Sequence, residues 1–340
     1  MAHKNLRKAS EAKKDEFYTQ LVDIEEELKH YKEQFRDKVV FCNCDDPRES
    51  NFVKYFSMNF EHLGLKKLIA THYKEANLFT NEPPYKLEYF GDKNGNLMPD
   101  PNEFMKRMIS DGDFRSKECI DLLKEADIVV TNPPFSLFRE YISQLMEYKK
   151  KFLILGNMNA ITYKEAFKFI KENKLWSGYG FNMSLVYRTP YINNLEPNRK
   201  FVIGKGYNPH KGYVKVPGVN WYTNLDVEKR HEKLDLYKKY NPKEYPKYDN
   251  YNAIEVSKVS EIPANYDGAM GVPITFLNKY NPEQFEIIWI ADRQNSQGLR
   301  TKTYTADDTL NFNDLNRGPV LKINGEMKVV YMRILIKKRK

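Results

Sequence analysis

Residue types that form disulfides and metal sites are scarce in this chain. Its 340 residues include three cysteines, Cys42, Cys44 and Cys119, and six scattered histidines. An odd cysteine count without disulfide-like spacing indicates a reducing compartment. The Cys42-x-Cys44 pair lacks the spacing of a zinc knuckle, and no histidine cluster lies beside it. We therefore expect neither a disulfide framework nor a bound metal ion.

Long apolar runs are also missing from the sequence. No run reaches the ~20 residues that a membrane-spanning helix needs, and the N-terminus is too polar for a secretory signal peptide. These absences predict a cytoplasmic protein that does not enter a membrane.

The chain does have abundant aromatic residues and an excess of positive charge. It contains 24 tyrosines, 20 phenylalanines and a net charge of +9. The aromatic content argues against disorder, and the length allows one large domain or two. A basic protein favours an anionic partner, most commonly nucleic acid, although many soluble proteins are equally basic. Residues 1–14 are predicted to be a flexible basic arm, either a contact for DNA phosphates or a solvated terminus.

Strand-like and helix-like segments alternate through the first half of the chain. Apolar, β-branched stretches predict strands at 38–44, 66–70, 128–130 and 151–156. Helical patterns fall at 21–35, 52–60, 116–125 and 163–171. This alternation predicts an α/β fold with a mostly parallel sheet and helices on both faces. Alternation around Asn94-Gly95 indicates an inserted β-hairpin within 85–97.

One short loop, 131–135, joins a predicted buried strand to a predicted helix, where open α/β sheets place their ligands. Pro133 and Pro134 fix φ and remove two backbone donors, but their carbonyls remain acceptors. Asn132 adds a side-chain acceptor and Phe135 a flat apolar face. An acceptor pair and a ring suit the amino group of a planar base, which predicts methyl transfer to a flipped base. A purely structural turn is the alternative.

The loop after the first predicted strand, 45–50, contains no glycine, so it is not a phosphate cradle. Asp45 and Asp46 would repel a phosphate and attract an ammonium group. This favours S-adenosylmethionine over a dinucleotide or ATP, with its sulfonium near the aromatic face of Phe17 or Tyr18. Asp113 is predicted either to accept from the cofactor's adenine or ribose or to belong to a helix-capping loop.

The second half of the chain changes character after Trp176. Residues 177–221 mix glycine, proline and tyrosine with basic residues, which suits nucleic-acid contact or an irregular β-extension. A strand at 220–225 is predicted to return to the sheet. Further predictions are a charged helix within 227–247, strands at 269–276 and 284–291, and a hairpin of 320–323 and 328–336 around Asn324-Gly325.

Six segments, at 15–20, 41–48, 112–116, 127–141, 245–251 and 270–276, have recognisable counterparts in a known family and occur in the same order there. In these segments the chain resembles the EcoRI-type adenine-specific DNA methyltransferases. The resemblance implies a Rossmann-like methyltransferase that uses S-adenosylmethionine to methylate adenine N6 in double-stranded DNA, in a bacterial or phage-infected cell. It implies a catalytic loop of Asn132, Pro133, Pro134 and Phe135. Cofactor contacts would come from Phe17, Tyr18, Thr19, Asn43, Cys44, Asp45, Pro47, Asp113 and Phe114.

The resulting domain organisation has four parts. They are the arm 1–14, the catalytic and cofactor-binding core 15–176, a recognition insertion and return to the sheet 177–225, and a C-terminal DNA-recognition region 226–340. The predicted DNA contacts are Lys4, Arg7, Lys8, Lys13, Lys14, Arg139, Arg199, Lys200, Arg293 and Arg300. We expect a monomer.

The sequence departs from the family pattern in places. The usual acidic ribose contact is absent after the second strand, where Thr71-His72 stands. Segments 177–220 and 291–317 match poorly, so target choice is expected there. The alternatives are an RNA adenine or protein glutamine methyltransferase using the same loop, or a non-enzymatic DNA-binding decoy.

Overall fold

The computed structural model describes residues 18–73, 84–92, 104–188, 213–291 and 298–339, with only the backbone of Tyr18. The chain divides into two compact units. The first consists of residues 1–166 and 175–225, and the second of 167–174 and 226–340. No helix in the described ranges is both long and apolar enough to span a bilayer.

The first unit contains the larger sheet. Its strands are β1 (Tyr18–Thr19), β2 (Val39–Cys42), β3 (Lys67–Thr71), β4 (Tyr85–Tyr89), β5 (Met105–Arg107), β6 (Ile128–Thr131), β7 (Lys151–Asn157), β8 (Trp176–Ser177), β9 (Met183–Arg188) and β10 (Tyr213–Thr223). The helices that begin in it are α1 (Leu21–Leu28), α2 (Asn51–Met58), α3 (Phe60–Leu63), α4 (Lys117–Glu125), α5 (Phe138–Glu147) and α6 (Lys164–Lys171).

The strand order is β1-β9-β10-β7-β6-β2-β3-β4-β5, and β8 pairs with β10. The central strands β7, β6, β2 and β3 are parallel, as predicted, and antiparallel strands extend the sheet on both sides. The predicted return strand is confirmed, because β10 pairs with β7. The chain leaves β2 for β3 on one side and later reaches β6 on the other. This reversal is a topological switch point, where ligands bind at the carboxyl ends of the strands.

The central strands are buried on both faces. Val40, Phe41, Ile69 and Val129 have no exposed surface, which explains why their segments read as continuous apolar runs. The first strand of the hairpin predicted within 85–97 is present as β4, but it pairs antiparallel with β5, which lies beyond the predicted range. The predicted turn at Asn94-Gly95 lies outside the described residues.

The predicted helix 21–35 is shorter than expected. The α-helix ends at Leu28, and a 3-10 helix follows at Lys32–Phe35. The Tyr31 N–H donates to the Leu28 carbonyl at 3.0 Å, so the chain tightens to i→i+3 bonds after the helix. Tyr31 and Phe35 nevertheless remain fully buried, as the apolar stripe predicts.

The second unit has a smaller sheet and a separate hairpin. Its elements are β11 (Ile254–Glu255), β12 (Met270–Pro273), β13 (Phe285–Ala291), α7 (Phe312–Leu315), β14 (Val320–Ile323), β15 (Glu326–Val329) and β16 (Arg333–Lys338). The sheet order is β11-β12-β16-β13, and β14 pairs with β15. The β14–β15 turn has positive φ at Asn324 (53°) and Gly325 (83°), as a type I′ turn requires. The prediction of one strand at 328–336 was wrong, because β15 ends at Val329 and β16 joins the other sheet.

The predicted helix within 227–247 is also absent from the described chain. Only a 3-10 turn, Glu228–Arg230, forms there. Side chains satisfy the backbone instead: Gln284 accepts from the Leu234 N–H at 2.8 Å and donates to its carbonyl at 2.7 Å. Two prolines, Pro242 and Pro246, further prevent a continuous helix.

Candidate active site

Backbone contacts join the carboxyl ends of β2, β3 and β6 at the switch point. The Asp45 N–H donates to the Thr71 carbonyl at 2.9 Å, and the Cys44 N–H donates to Thr131 Oγ1 at 3.2 Å. The loop after β2 is therefore fixed both to the end of β3 and to the residue that precedes Asn132.

The side chain of Asp45 lies at the centre of this arrangement. Asp45 is 6% exposed, and its carboxyl group accepts from Ser50 Oγ at 2.7 Å, from Thr131 Oγ1 and from the Asn132 backbone N–H. Burial raises the pKa of Asp45 to about 6, although these hydrogen bonds oppose the shift. The carboxyl group thus contacts the predicted catalytic loop.

The predicted catalytic loop is held between β6 and α5. Pro133 is buried, and Asn132, Pro134 and Phe135 are half-buried. The Leu137 N–H donates to the Pro134 carbonyl at 3.0 Å, which begins the 3-10 turn Phe135–Leu137. Because the Pro134 carbonyl is used inside the turn, the Pro133 carbonyl is the backbone acceptor that the loop can offer.

Two of the predicted cofactor residues, Asn43 and Thr19, each have a buried side-chain atom without a hydrogen-bond partner among the described residues. Asn43 is 1% exposed, and its Oδ1 accepts from the Tyr141 hydroxyl of α5. Within the described residues, Asn43 Nδ2 and Thr19 Oγ1 have no hydrogen-bond partner. Asn51 Nδ2 donates to the Thr19 carbonyl at 2.7 Å, which attaches β1 to the start of α2. Buried groups of this kind are expected where a ligand supplies the missing partner.

The loop before α4 packs against the end of β3. Gly112 has φ +79°, and a Cβ there would lie 1.9 Å from the His72 carbonyl oxygen, so only glycine fits. Phe114 is buried, and its ring meets the Tyr141 ring edge to face at 5.1 Å. Both Asp113 oxygens accept from the Arg115 guanidinium, at 2.8 and 2.6 Å. The α4 cap is Ser116, which accepts from the Cys119 N–H at 3.3 Å.

Tyr141 connects the two sides of the site, although its sequence context predicts no such role. Its hydroxyl is a donor to Asn43, and burial raises its pKa well above the ordinary value, so it stays protonated. A buried tyrosine needs a hydrogen-bond partner, and this requirement was the available signal. Thr131 and Ser50 were missed as well, because a strand end and a helix cap do not indicate a specific partner.

Tyr141→Phe is expected to lower the free energy of unfolding by about 1–3 kcal/mol, because it leaves the buried Asn43 Oδ1 with only the weak Cys44 Sγ donor at 3.9 Å. Chemical denaturation measures the change. Tyr148→Phe is the control, since Tyr148 follows the same helix and is half-exposed. Equal stability of the two variants would contradict the importance of the Tyr141–Asn43 bond.

Two of the predicted DNA contacts lie within the described ranges. Arg139 is exposed on α5, with its guanidinium 4.1 Å from the centre of the Tyr163 ring. Arg300 instead donates to Asn316 Oδ1 at 2.8 Å and to the Lys302 carbonyl at 3.2 Å, which stabilises the second unit. Some of the predicted site residues lie outside the described ranges: Lys4, Arg7, Lys8, Lys13, Lys14, Phe17, Arg199, Lys200 and Arg293.

No group of three or more His, Cys, Asp or Glu side chains in the described ranges is arranged to hold a metal ion. The remaining predicted cofactor residues lie in the loop after β2: Cys44 is half-buried and Pro47 is buried. Burial raises the pKa of the Cys44 thiol well above its ordinary value, so this thiol stays neutral.

Comparisons with known proteins identify the family and relatives of the chain. The family described as adenine-specific methyltransferase EcoRI matches residues 5–339. The chain is 47% identical to the Type II methyltransferase M.EcoRI of Escherichia coli, across 99% of this chain and 97% of that protein. It is 39% identical to M.MpnI of Mycoplasma pneumoniae, across 98% of this chain and 97% of that protein. It is 38% identical to M.MgeORF184P of Mycoplasma genitalium, across 98% and 99% respectively.

No solved structure matches the chain. The family match and the relatives each cover nearly the whole sequence. The chain therefore belongs to the EcoRI family of adenine-specific DNA methyltransferases, the modification enzymes of restriction-modification systems.

Proposed function

We propose that Asn132, Pro133, Pro134 and Phe135 form the catalytic loop of this enzyme and that it methylates adenine N6 in double-stranded DNA. The observation that carries the proposal is the position of the loop. It follows β6 at the switch point, and Asp45 and Cys44 of the neighbouring loop hold the residues at its start.

The roles of the loop residues follow from their chemistry. The Asn132 side-chain oxygen accepts one hydrogen of the adenine amino group, and the Pro133 carbonyl accepts the other. These two acceptors draw the nitrogen toward tetrahedral geometry and direct its lone pair outward. Phe135 stacks on the base, which must leave the duplex to reach the loop. Catalysis then depends on positioning and electrostatics.

The residues around the loop fit S-adenosylmethionine. The buried Asn43 Nδ2 and Thr19 Oγ1, which have no hydrogen-bond partner among the described residues, offer a donor and a hydroxyl to a polar ligand. Asp46, whose side chain is 24% exposed, offers a carboxylate to an ammonium group. When bound, the cofactor supplies an electrophilic methyl group. We assign its binding to Phe17, Tyr18, Thr19, Asn43, Cys44, Pro47, Asp113 and Phe114. Asp45 belongs to the same loop, but its carboxyl group is hydrogen-bonded to Ser50 and Thr131 inside the chain.

Incubation with labelled S-adenosylmethionine and DNA, RNA or total protein tests the proposal. We expect label in duplex DNA as N6-methyladenine, and sequencing of the modified DNA identifies the target. Label found only in RNA or protein would contradict the proposal.

Target choice is assigned to segments 177–220 and 291–317, and wider DNA recognition to 226–340. Two observations support a separate role for 226–340. The second unit has its own sheet, and the predicted catalytic loop belongs to the first. Arg139 on α5 follows the catalytic loop directly and exposes its guanidinium, so we assign it a contact with DNA phosphates. We propose that the enzyme acts as a monomer in the cytoplasm.

Deleting residues 1–14 is expected to weaken DNA binding and to flatten its salt dependence. The deleted segment carries Lys4, Arg7, Lys8, Lys13 and Lys14. Each neutralised phosphate contributes about 0.9 to the slope of log K against log salt, so the slope should fall by that amount for every phosphate that the arm binds. Fluorescence anisotropy at several salt concentrations measures it.

The matched control for the deletion is Lys117→Gln combined with Lys124→Gln. Both lysines pair with Asp121 on the surface of α4, so this variant also loses positive charge. We expect its salt slope to equal that of the unaltered enzyme. An unchanged slope after the deletion would mean that the arm does not contact DNA.

A further inference from the structure

The carboxyl group of Asp45 connects elements that are far apart in the sequence. Ser50 Oγ, at the start of α2, donates to Asp45 Oδ1 at 2.7 Å, and Thr131 Oγ1, at the end of β6, donates to Oδ2. The Asn132 backbone N–H adds a third bond. With 6% of the residue exposed, this carboxyl group is directed into the chain.

We propose that Asp45 is a positioning residue for methyl transfer: its buried carboxylate fixes the Thr131–Asn132 backbone and thereby aims the catalytic loop from the cofactor side of the site. The inference rests on the catalytic role proposed for Asn132. It differs from the role in ammonium binding that the acidic character of the loop predicts for Asp45.

The geometry explains why a carboxylate is needed. Three donors converge on its two oxygens. An ionised carboxyl group only accepts hydrogen bonds, whereas a protonated one carries a hydrogen that would face one of these donors. The backbone of the same loop adds the Cys44 N–H bond to Thr131 and the Asp45 N–H bond to Thr71. These bonds attach the backbone that leads into Asn132 to the loop after β2. A misplacement of about 1 Å at a reacting centre can lower the rate about 100-fold.

The first test compares two threonine-to-valine changes of equal chemistry. Thr131 Oγ1 donates to Asp45 and accepts from the Cys44 N–H. Thr223 Oγ1, in β10 of the same unit, donates to the Phe152 carbonyl at 2.6 Å and accepts from the Leu225 N–H at 3.0 Å. Both threonines are fully buried. Each variant therefore removes one buried hydroxyl that makes a donor and an acceptor bond.

Thr131→Val is expected to lower kcat about 10- to 100-fold, with the KM for S-adenosylmethionine changed less than about threefold. Thr131→Ser, which keeps the hydroxyl, should recover most of the rate. Thr223→Val should lower the thermal midpoint of unfolding by about as much as Thr131→Val does, but it should keep kcat within about twofold. The inference is overturned if Thr131→Val keeps its kcat or if Thr223→Val loses as much.

The second test is the pH profile of kcat. The ionisable groups that face Asp45 are Asp46, Cys42, Cys44 and Tyr141. Burial raises the pKa values of both thiols and of the Tyr141 hydroxyl, so these groups stay neutral in the acid range. Protonation of Asp45 converts one acceptor into a donor, so activity is present above its pKa of about 6 and is lost as the pH falls through it.

Asp45→Asn keeps the size of the side chain but makes one terminal atom a permanent donor. We expect a kcat reduced about 10- to 100-fold at neutral pH and no acid limb near the Asp45 pKa. An unchanged limb, or full activity at neutral pH, would overturn the positioning role. These outcomes are separate from those of Asn132→Ala: if that variant stays active, the catalytic loop itself is wrongly assigned.

Discussion

Asn132→Ala is expected to lower kcat for DNA methylation by at least about 100- to 1,000-fold, the cost of losing one preorganised hydrogen-bonding group at a reacting centre. The change removes the side-chain acceptor that holds the adenine amino group. It leaves the Asn132 backbone N–H bond to Asp45 in place, so the loop should keep its path. Single-turnover kinetics with labelled S-adenosylmethionine measures the chemical step apart from product release.

Asn59→Ala is the control for this experiment. Asn59 follows α2 and its Nδ2 donates to the Tyr55 carbonyl at 2.8 Å, away from the predicted site residues in sequence. It should keep kcat within about twofold. DNA methylation by Asn132→Ala at the rate of the Asn59 variant would remove Asn132 from the mechanism.

Phe135→Ala should produce the second large loss. Stacking of a base on an aromatic ring contributes about 1–3 kcal/mol, which predicts a fall in kcat/KM of about 5- to 150-fold. Phe135→Tyr keeps the ring and should stay within about threefold. With 2-aminopurine at the target position, fluorescence reports how far the base has left the duplex stack.

If Phe135 stacks on the flipped base, the alanine variant should change the 2-aminopurine signal in the bound complex and the tyrosine variant should not. Equal kcat/KM for the alanine and tyrosine variants would show that the ring is part of the turn and not of the base site. In that case the role of Phe135 would be structural, as the first residue of the 3-10 turn Phe135–Leu137.

The parallel core of the sheet could be predicted because each of its strands is buried on both faces and reads as a short apolar run. The position of 131–135 at a strand end followed from the same pattern. The region 227–247 was predicted wrongly for a physical reason. Its backbone is satisfied by side chains that lie about 50 residues away, such as Gln284, and local charge patterning does not contain that information.

The sequence pointed to individual candidate residues for the site, but it did not predict the hydrogen bonds between them. The motif containing Asp45 suggested contact with a cofactor ammonium group, whereas the structure directs the carboxyl group toward Thr131 and Asn132. For Asp113 the sequence predicts either a contact with the cofactor's adenine or ribose or a place in a helix-capping loop. In the structure its two side-chain oxygens accept hydrogen bonds from Arg115. Which donor reaches a carboxylate depends on tertiary distances, and the spacing of residues in one sequence does not give them.

The bonds that build the site also determine when it can exist. Asp45 and Thr131 are 86 residues apart, and Asn43 and Tyr141 are 98 apart. Contacts of such long range require the closure of a long stretch of chain, which makes them slow to appear during folding. A chain in which β6 and α5 have not yet formed therefore has no partly assembled site. The ability to methylate DNA should therefore arise in a single step, when the central strands pair.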